Sequence, residues 1–336
     1  MNLINHQFRL VARPAGLPKN SDWQMTEEPV REPNEGEVLV KVLYLSLDPA
    51  MRGWMNEGKS YIAPVALGDV MRAGAVGRVV AARDGKFAVG DHVSGAFGVQ
   101  EYAHVNGRDL ARIDPNIAPL PVYLGTLGVP GFTGYFGLLD IGKPQPGQTV
   151  VVSGAAGAVG TVVGQIAKIK GCRAIGIAGG RAKCDWIVKD LGFDAAIDYK
   201  SEDVKKALRQ HCQHGIDVYF DNVGGDILDA ALAQLARGAR VVICGAISQY
   251  NATGAIKGPA NYLSLLVNRA SMTGMVVFDF ASRYGDAARD MAGWLAAGRL
   301  HSREQIVAGF DRFPEALLML FAGENTGKLV LQVAAE

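Results

Sequence analysis

Thr149–Gly160 reads TVVVSGAAGAVG: a short β-branched run, a glycine-rich turn, and the start of a segment, Val159–Lys170, whose apolar residues recur at helical spacing. Strand, turn and helix in that order open a dinucleotide-binding unit. Such a unit needs a tight turn, close backbone approach to a pyrophosphate, and close packing of helix on strand. The anion then rests on free amides at the positive end of the helix. Set against G-x-G-x-x-G, the chain offers Ala155, Gly157 and Gly160, with alanine in place of the first glycine. A glycine-rich helix-packing motif would share the glycines but not the strand before them.

The residues beyond the turn support the dinucleotide reading. Arg173–Ala178 predicts a second strand, with a helix after it through Lys189. Then come a strand at Ala195–Ile197, a helix near Val204–His211, a strand at Val218–Phe220, a helix near Leu228–Leu235 and a strand at Arg240–Cys244. A further strand, Ser271–Phe278, and a helix, Asp286–Ala297, extend the series. Strand and helix alternating in this way predict a doubly wound parallel sheet of the Rossmann type.

The end of the second strand discriminates between cofactors. An NAD site places Asp or Glu there for the ribose 2′-hydroxyl. Here the strand runs out into Ala178-Gly179-Gly180-Arg181-Ala182-Lys183, with no acid. Arg181 and Lys183 would attract a 2′-phosphate, so NADP(H) is favoured over NAD. Without the missing acid, Lys183 would read as a solvated helix lysine.

The region before Val129 differs in kind. Val38–Leu47 (VLVKVLYLSL), Ala75–Ala81 and Val99–Val105 read as short strands between turn signals, which suggests a barrel or sandwich. Lys328–Val333 is a lone strand near the end. At 336 residues, two domains are the expectation. A net charge of +1 with no basic run gives no footprint for nucleic acid. No stretch approaches 18 uninterrupted apolar residues and the start carries polar residues too early for a secretory signal, so a cytoplasmic, non-membrane protein is expected.

Cys172, Cys184, Cys212 and Cys244 include no C-x-x-C pair, and the first 120 residues contain no cysteine. His211, Cys212 and His214 lie on a polar stretch ending a helix, where cationic groups suit the negative helix end. No metal site is expected.

Six stretches, in order, resemble the zinc-independent prostaglandin/alkenal reductase branch of the medium-chain dehydrogenases, which includes NADPH-dependent curcumin reductases of bacteria. They are LSLDPAMRGWM (45–55), GVPGFTGYFGLLDIG (128–142), GAAGAVGTVVGQIAKIKGCR (154–173), FDNVGG (220–225), CGAISQYN (244–251) and GENTGKLVL (323–331). The resemblance implies a GroES-like catalytic domain at 1–125, a Rossmann NADP-binding domain at 126–305, and a return to the catalytic domain at 306–336. It implies a homodimer. It also implies phosphate contacts at Gly157, Ala158, Val159 and Gly160, and 2′-phosphate contacts at Lys183 and Tyr199. Asn222, Cys244, Gly245, Ser248, Tyr250, Met275, Val276 and Val277 would line the rest of the cofactor, with Asn325 beside the nicotinamide. Many members read DPYMR where this chain has Asp48-Pro49-Ala50-Met51-Arg52, and losing the tyrosine at 50 would open the substrate entrance.

The implied reaction is reduction of the carbon–carbon double bond of an enone or alkenal. Hydride goes to the β-carbon and a proton to the α-carbon, and donors stabilise the enolate oxygen. The ribose 2′-hydroxyl and Tyr250 are candidate donors; the other reading of Tyr250 is a residue that packs on the cofactor. A quinone reductase shares the fold and the cofactor preference. A protein that holds NADPH without turnover would have no need of Gly157, Lys183, Tyr250 and Asn325 together.

Overall fold

The computed structural model describes residues 3–336, which gather into two compact units: the chain up to Leu124 together with Glu304–Glu336, and Gly125–Arg303.

The second unit is built on six parallel strands, β1 (Thr149–Ser153), β2 (Arg173–Ala178), β3 (Ala195–Asp198), β4 (Ile216–Asp221), β5 (Leu235–Ile243) and β6 (Ser271–Gly274). Their spatial order is β3-β2-β1-β4-β5-β6, which is the Rossmann order. Val150–Val152 and Val218–Phe220 are fully buried or nearly so, as expected of central strands covered on both faces. The connecting helices are α1 (Ala158–Ile169), α2 (Arg181–Lys189), α3 (Val204–His211), α4 (Gly225–Leu232), α5 (Ser264–Asn268) and α6 (Tyr284–Ala296). Helix α1 can lie close to the segment that leads into β3 because it carries glycine where a side chain would collide: a Cβ on Gly164 would fall 1.8 Å from the Phe193 ring.

Several boundaries differ from the sequence reading: the strand expected at Arg240–Cys244 begins at Leu235, and the one expected at Val99–Val105 begins at Tyr102. The helix expected near Leu228–Leu235 runs instead over Gly225–Leu232, because Gly224 and Gly225 both take positive φ (70° and 57°) and the turn is complete within two residues. The strand expected at Ser271–Phe278 stops at Gly274, and Val277–Arg283 coils into 3₁₀ turns.

The first unit holds a seven-stranded, mostly antiparallel sheet, the GroES-like half of the fold. Glu37–Ser46 lies near its centre, paired with Gly74–Ala82, Tyr102–Asn106 and the returning strand Lys328–Gln332. The central strand does not alternate cleanly, and a bulge explains why. Val38, Val40 and Val42 face one core, register slips between Val42 and Tyr44, and Leu45 and Leu47 continue on that same face. Leu43 and Tyr44 are released to a second cluster with Val76, Leu120 and Val330.

An ion pair between a buried lysine and a partly buried aspartate fastens the returning strand. Lys328, only 3% exposed, donates from Nζ to Asp48 Oδ1 (2.7 Å) and to the Leu47 carbonyl (2.8 Å), and Asp48 also accepts from the Ser46 hydroxyl. Burial lowers the Lys328 pKa, and Asp48 works against that lowering. The native chain therefore sheds this proton before the unfolded chain does. The pair's share of stability accordingly increases as pH rises from the lowered value towards 10.5. Removing the partner leaves a buried charge, so D48N is expected to cost about 3 kcal/mol in denaturant unfolding. Its stability should also rise more steeply between neutral and alkaline pH than that of the wild type. The double variant D48N/K328M should recover part of the loss, and equal instability of single and double variants would show that the pair is not the cause.

Candidate cofactor site

The turn after β1 is made by Gly154, at φ +60°, and not by the alanine that comes next. Ala155 is fully buried and its amide donates to the Ile177 carbonyl, so this position packs between β1 and β2. Gly160 allows the close approach of helix to turn: a Cβ there would lie 2.3 Å from the Gly154 oxygen and 2.7 Å from the Ala155 Cα. Gly157 is different. It caps the N-terminus of the twelve-residue α1, and a Cβ on it would meet only the Gly154 oxygen, at 3.3 Å. The protein's own packing asks little of glycine here. The bare backbone, with the first amides of α1 at Ala158 and Val159, forms a cradle that suits an anion.

Beside this turn lies a residue that the sequence motifs do not single out. Asp221 ends β4, is wholly buried, and accepts from the Ser153 hydroxyl (2.8 Å), the Tyr219 hydroxyl (3.0 Å) and the amides of Val223 and Gly224 (both 3.1 Å). Its backbone carbonyl accepts the amides of Cys244 and Gly245. Burial, then the adjoining carboxylate, pushes the Tyr219 phenol far above its ordinary range, so it stays a donor. The one signal in the sequence is an acid closing an apolar strand immediately before Asn-Val-Gly-Gly.

This network sets the next site residues. The Asn222 side-chain amide donates to the Ser153 carbonyl (2.7 Å) and its backbone amide to the Ser153 hydroxyl (2.8 Å), which anchors Asn222 over the end of β1. Ser248 donates from its hydroxyl to the Val223 carbonyl (2.6 Å), and the Tyr250 oxygen accepts the Ala246 amide (3.1 Å) while lying against Gly245. Cys244, Gly245, Ser248 and Tyr250 thus continue from β5 along the same rim as Asn222. The Cys244 thiol is pushed up to about 12, mainly by desolvation and further by Asp221. Met275 and Val277 are buried just beyond β6, with Val276 partly open between them. Asn325 belongs to the other unit, in the turn before Lys328–Gln332, where its side-chain amide donates to the Gly327 carbonyl (3.0 Å).

At the far end of the rim, β2 and β3 finish side by side. The Tyr199 ring lies on Gly179, so close that a Cβ there would sit 2.7 Å from the phenol oxygen. Lys183 stands in the first turn of α2, half-buried. Desolvation lowers its pKa, and the neighbouring ammonium of Lys200 lowers it further. Arg181, the other cation of the sequence reading, is turned to Asp185 (2.8 Å) in an exposed ion pair. No group of three or more His, Cys, Asp or Glu side chains placed to hold a metal ion occurs among the described residues.

Comparison with known proteins gives concordant results. The oxidoreductase N-terminal domain family matches residues 6–113, and the family described as zinc-binding dehydrogenase matches residues 158–293. The NADPH-dependent curcumin reductase of Escherichia coli is 41% identical over 99% of this chain and 98% of its own. The NADP(+)-dependent 2-alkenal reductase of Nicotiana tabacum is 39% identical over 99% and 98%. The crystal structure of CurA from Vibrio vulnificus in complex with NADPH superposes with a TM-score of 0.94 at 44% identity, covering 98% of this chain and 100% of that one.

The two glycines of the turn should separate on substitution. G160A, which forces a methyl group into backbone atoms, is expected to lose about 1–3 kcal/mol in thermal or denaturant unfolding. G157A should lose distinctly less. Equal losses would mean that Gly157 is held by internal packing and not by what approaches from outside.

Proposed function

The chain belongs to the zinc-independent prostaglandin/alkenal reductase branch of the medium-chain dehydrogenase/reductase family, and on that footing we propose that it reduces the carbon–carbon double bond of α,β-unsaturated ketones and aldehydes with NADPH. The observation that carries this reading is the cofactor rim itself. A Cβ-free cradle at Gly157 heads α1, and Lys183 and Tyr199 stand where β2 and β3 end. These residues fit a dinucleotide with a 2′-phosphate. Gly157, Ala158, Val159 and Gly160 would hold the pyrophosphate, and Lys183 and Tyr199 the 2′-phosphate. Asn222, Cys244, Gly245, Ser248, Met275, Val276 and Val277 would bound the remainder, with Asn325 assigned to the nicotinamide by family likeness.

When bound, the reduced cofactor supplies a hydride for the β-carbon of the substrate. The protein's part is to orient the alkene and to stabilise charge on the carbonyl oxygen as it becomes an enolate. We assign that donor role to Tyr250, whose oxygen is fixed by the Ala246 amide. Ala50 stands where a tyrosine is common in the family, which leaves room for bulky enones.

We also propose a homodimer in the cytosol. β6 is the edge of the six-stranded sheet, every residue of it is exposed, and Tyr262, Leu263, Leu266 and Val267 are exposed close by in sequence. An uncovered edge beside apolar surface invites pairing with a second copy. All four cysteines are free thiols, which accords with a reducing compartment.

Three measurements test this. Alkenals, enones and quinones are screened against NADPH and NADH, following loss of reduced cofactor; NADPH-driven turnover of enones is expected, and turnover of quinones alone would replace this reading with quinone reduction. Y250F is expected to lower kcat on enones by roughly 100-fold, whereas an unchanged kcat with a higher KM for NADPH would make Tyr250 a packing residue. Sedimentation of the wild type should give a dimer and of L266D/V267D a monomer, and a dimer in both would exclude this face.

A further inference from the structure

We propose that Lys200 is a second cation of the 2′-phosphate subsite and that Asp198 is the residue that positions it. This rests on the NADP(H) reading of the site and adds two residues that neither the sequence motifs nor the family likeness assigns.

The geometry centres on one carboxylate. Asp198 closes β3, is 8% exposed, and accepts on Oδ1 both the Gly180 amide (2.7 Å) and the Lys200 amide (3.0 Å), and on Oδ2 the Ser201 hydroxyl (2.9 Å). Gly180 is the cap of α2 and Lys200 lies just past β3, so a single oxygen ties the β2–α2 turn to the β3–α3 turn. Gly180 sits at φ +99°, a conformation open to glycine that leaves its amide aimed at Asp198. The register fits: Asp198 lies opposite Ala178 across the two strands, and the Tyr199 amide donates to the Ala178 carbonyl (3.1 Å). Lys183, from the first turn of α2, and Tyr199 and Lys200, from just past β3, are thereby gathered on one rim.

Charge explains the need for a second cation. A phosphate monoester carries close to two negative charges at neutral pH. Lys183 supplies one positive charge, and Arg181 is occupied by Asp185. Lys183 and Lys200 already feel each other's charge, and that repulsion opposes keeping both of them protonated. A dianion lying against both would turn that repulsion into attraction. An acid at the end of β3 would repel the same anion if its oxygens faced outward. Asp198 instead directs its oxygens at two amides and a hydroxyl, and these donors hold its carboxyl below the usual range against the opposing effect of burial. The Glu202 carboxylate is likewise engaged, accepting the Asp198 amide (2.8 Å).

The test uses the whole enzyme with NADPH and NADH and a single enone. K200M is expected to lower the ratio of kcat/KM for NADPH over NADH by about tenfold, through KM for NADPH and not through kcat, as for the loss of one charge-assisted contact. K200R should restore most of the ratio. D198N should lower the ratio in the same direction while its thermal midpoint is followed in parallel. A fall in midpoint with an unchanged ratio would reduce Asp198 to a structural clamp. If the wild type prefers NADPH and K200M keeps the wild-type ratio, Lys200 has no part in the subsite. If the wild type shows no NADPH preference at all, the underlying cofactor reading fails first, and the two failures are told apart by the wild-type ratio alone.

Discussion

The carboxylate of Asp221 is the interaction on which the cofactor unit depends. A buried carboxylate is costly unless its oxygens are satisfied, and here two hydroxyls and two amides satisfy them. The donors come from β1, from β4 and from the turn after β4, while the backbone carbonyl of the same residue takes the amides just past β5. The strand order reverses between β1 and β4, and in doubly wound sheets the ligand crevice opens at that reversal. One residue, by its side chain and its backbone carbonyl together, thus closes the sheet beneath the crevice and fixes the segments that carry Asn222 and Cys244–Tyr250. Polar atoms that would otherwise be stranded at the strand ends become the scaffold for the rim.

Asp198 plays a comparable part at the other end of the rim, and Asp48 with Lys328 in the other unit. In each case a carboxylate joins segments apart in the chain: Ser153 to Gly224 around Asp221, Gly180 to Lys200 around Asp198, and the end of Glu37–Ser46 to the returning strand through Asp48. Apolar packing fills the two cores and selects which residues of each strand face inward. Hydrogen-bonded charge adds directional ties that fix how the loops leave the sheet.

This division explains which parts of the molecule are legible in the sequence. The parallel sheet is legible because buried strands and amphipathic helices write their periods into the chain, and TVVVSGAAGAVG combines a strand, a turn and a helix start within twelve residues. Lys183 is legible because an expected acid is missing. The three carboxylate clamps are not, since an aspartate at a strand end reads as turn chemistry until its distant partners are known. Alignment by spacing puts the tight turn at Ala155, although Gly154 makes it, because backbone angles leave no mark on spacing. In the first unit, the bulge in Glu37–Ser46 breaks the alternation by which a strand is recognised. The helix Phe313–Ala322, which packs Phe313 and Leu317 into the first unit's core, is apolar on too many sides to show a clear helical stripe.

The cysteines acquire a meaning from the proposed substrates. Enones and alkenals are soft electrophiles that alkylate thiolates, so an enzyme working on them is exposed to damage from its own substrate. Cys172, Cys184 and Cys212 are buried, and Cys172 is raised above its ordinary value, chiefly by desolvation. The same cause takes Cys184 and Cys212 to about 11 and Cys244, on the cofactor rim, to about 12. With a pKa near 11, only about one thiol in ten thousand is ionised at pH 7, and the thiolate is the reactive form. Desolvation, reinforced by the Asp221 carboxylate that organises the rim, is what raises the Cys244 thiol. With the proposed enone substrates, that burial would serve as chemical armour against the Michael acceptors met at each turnover.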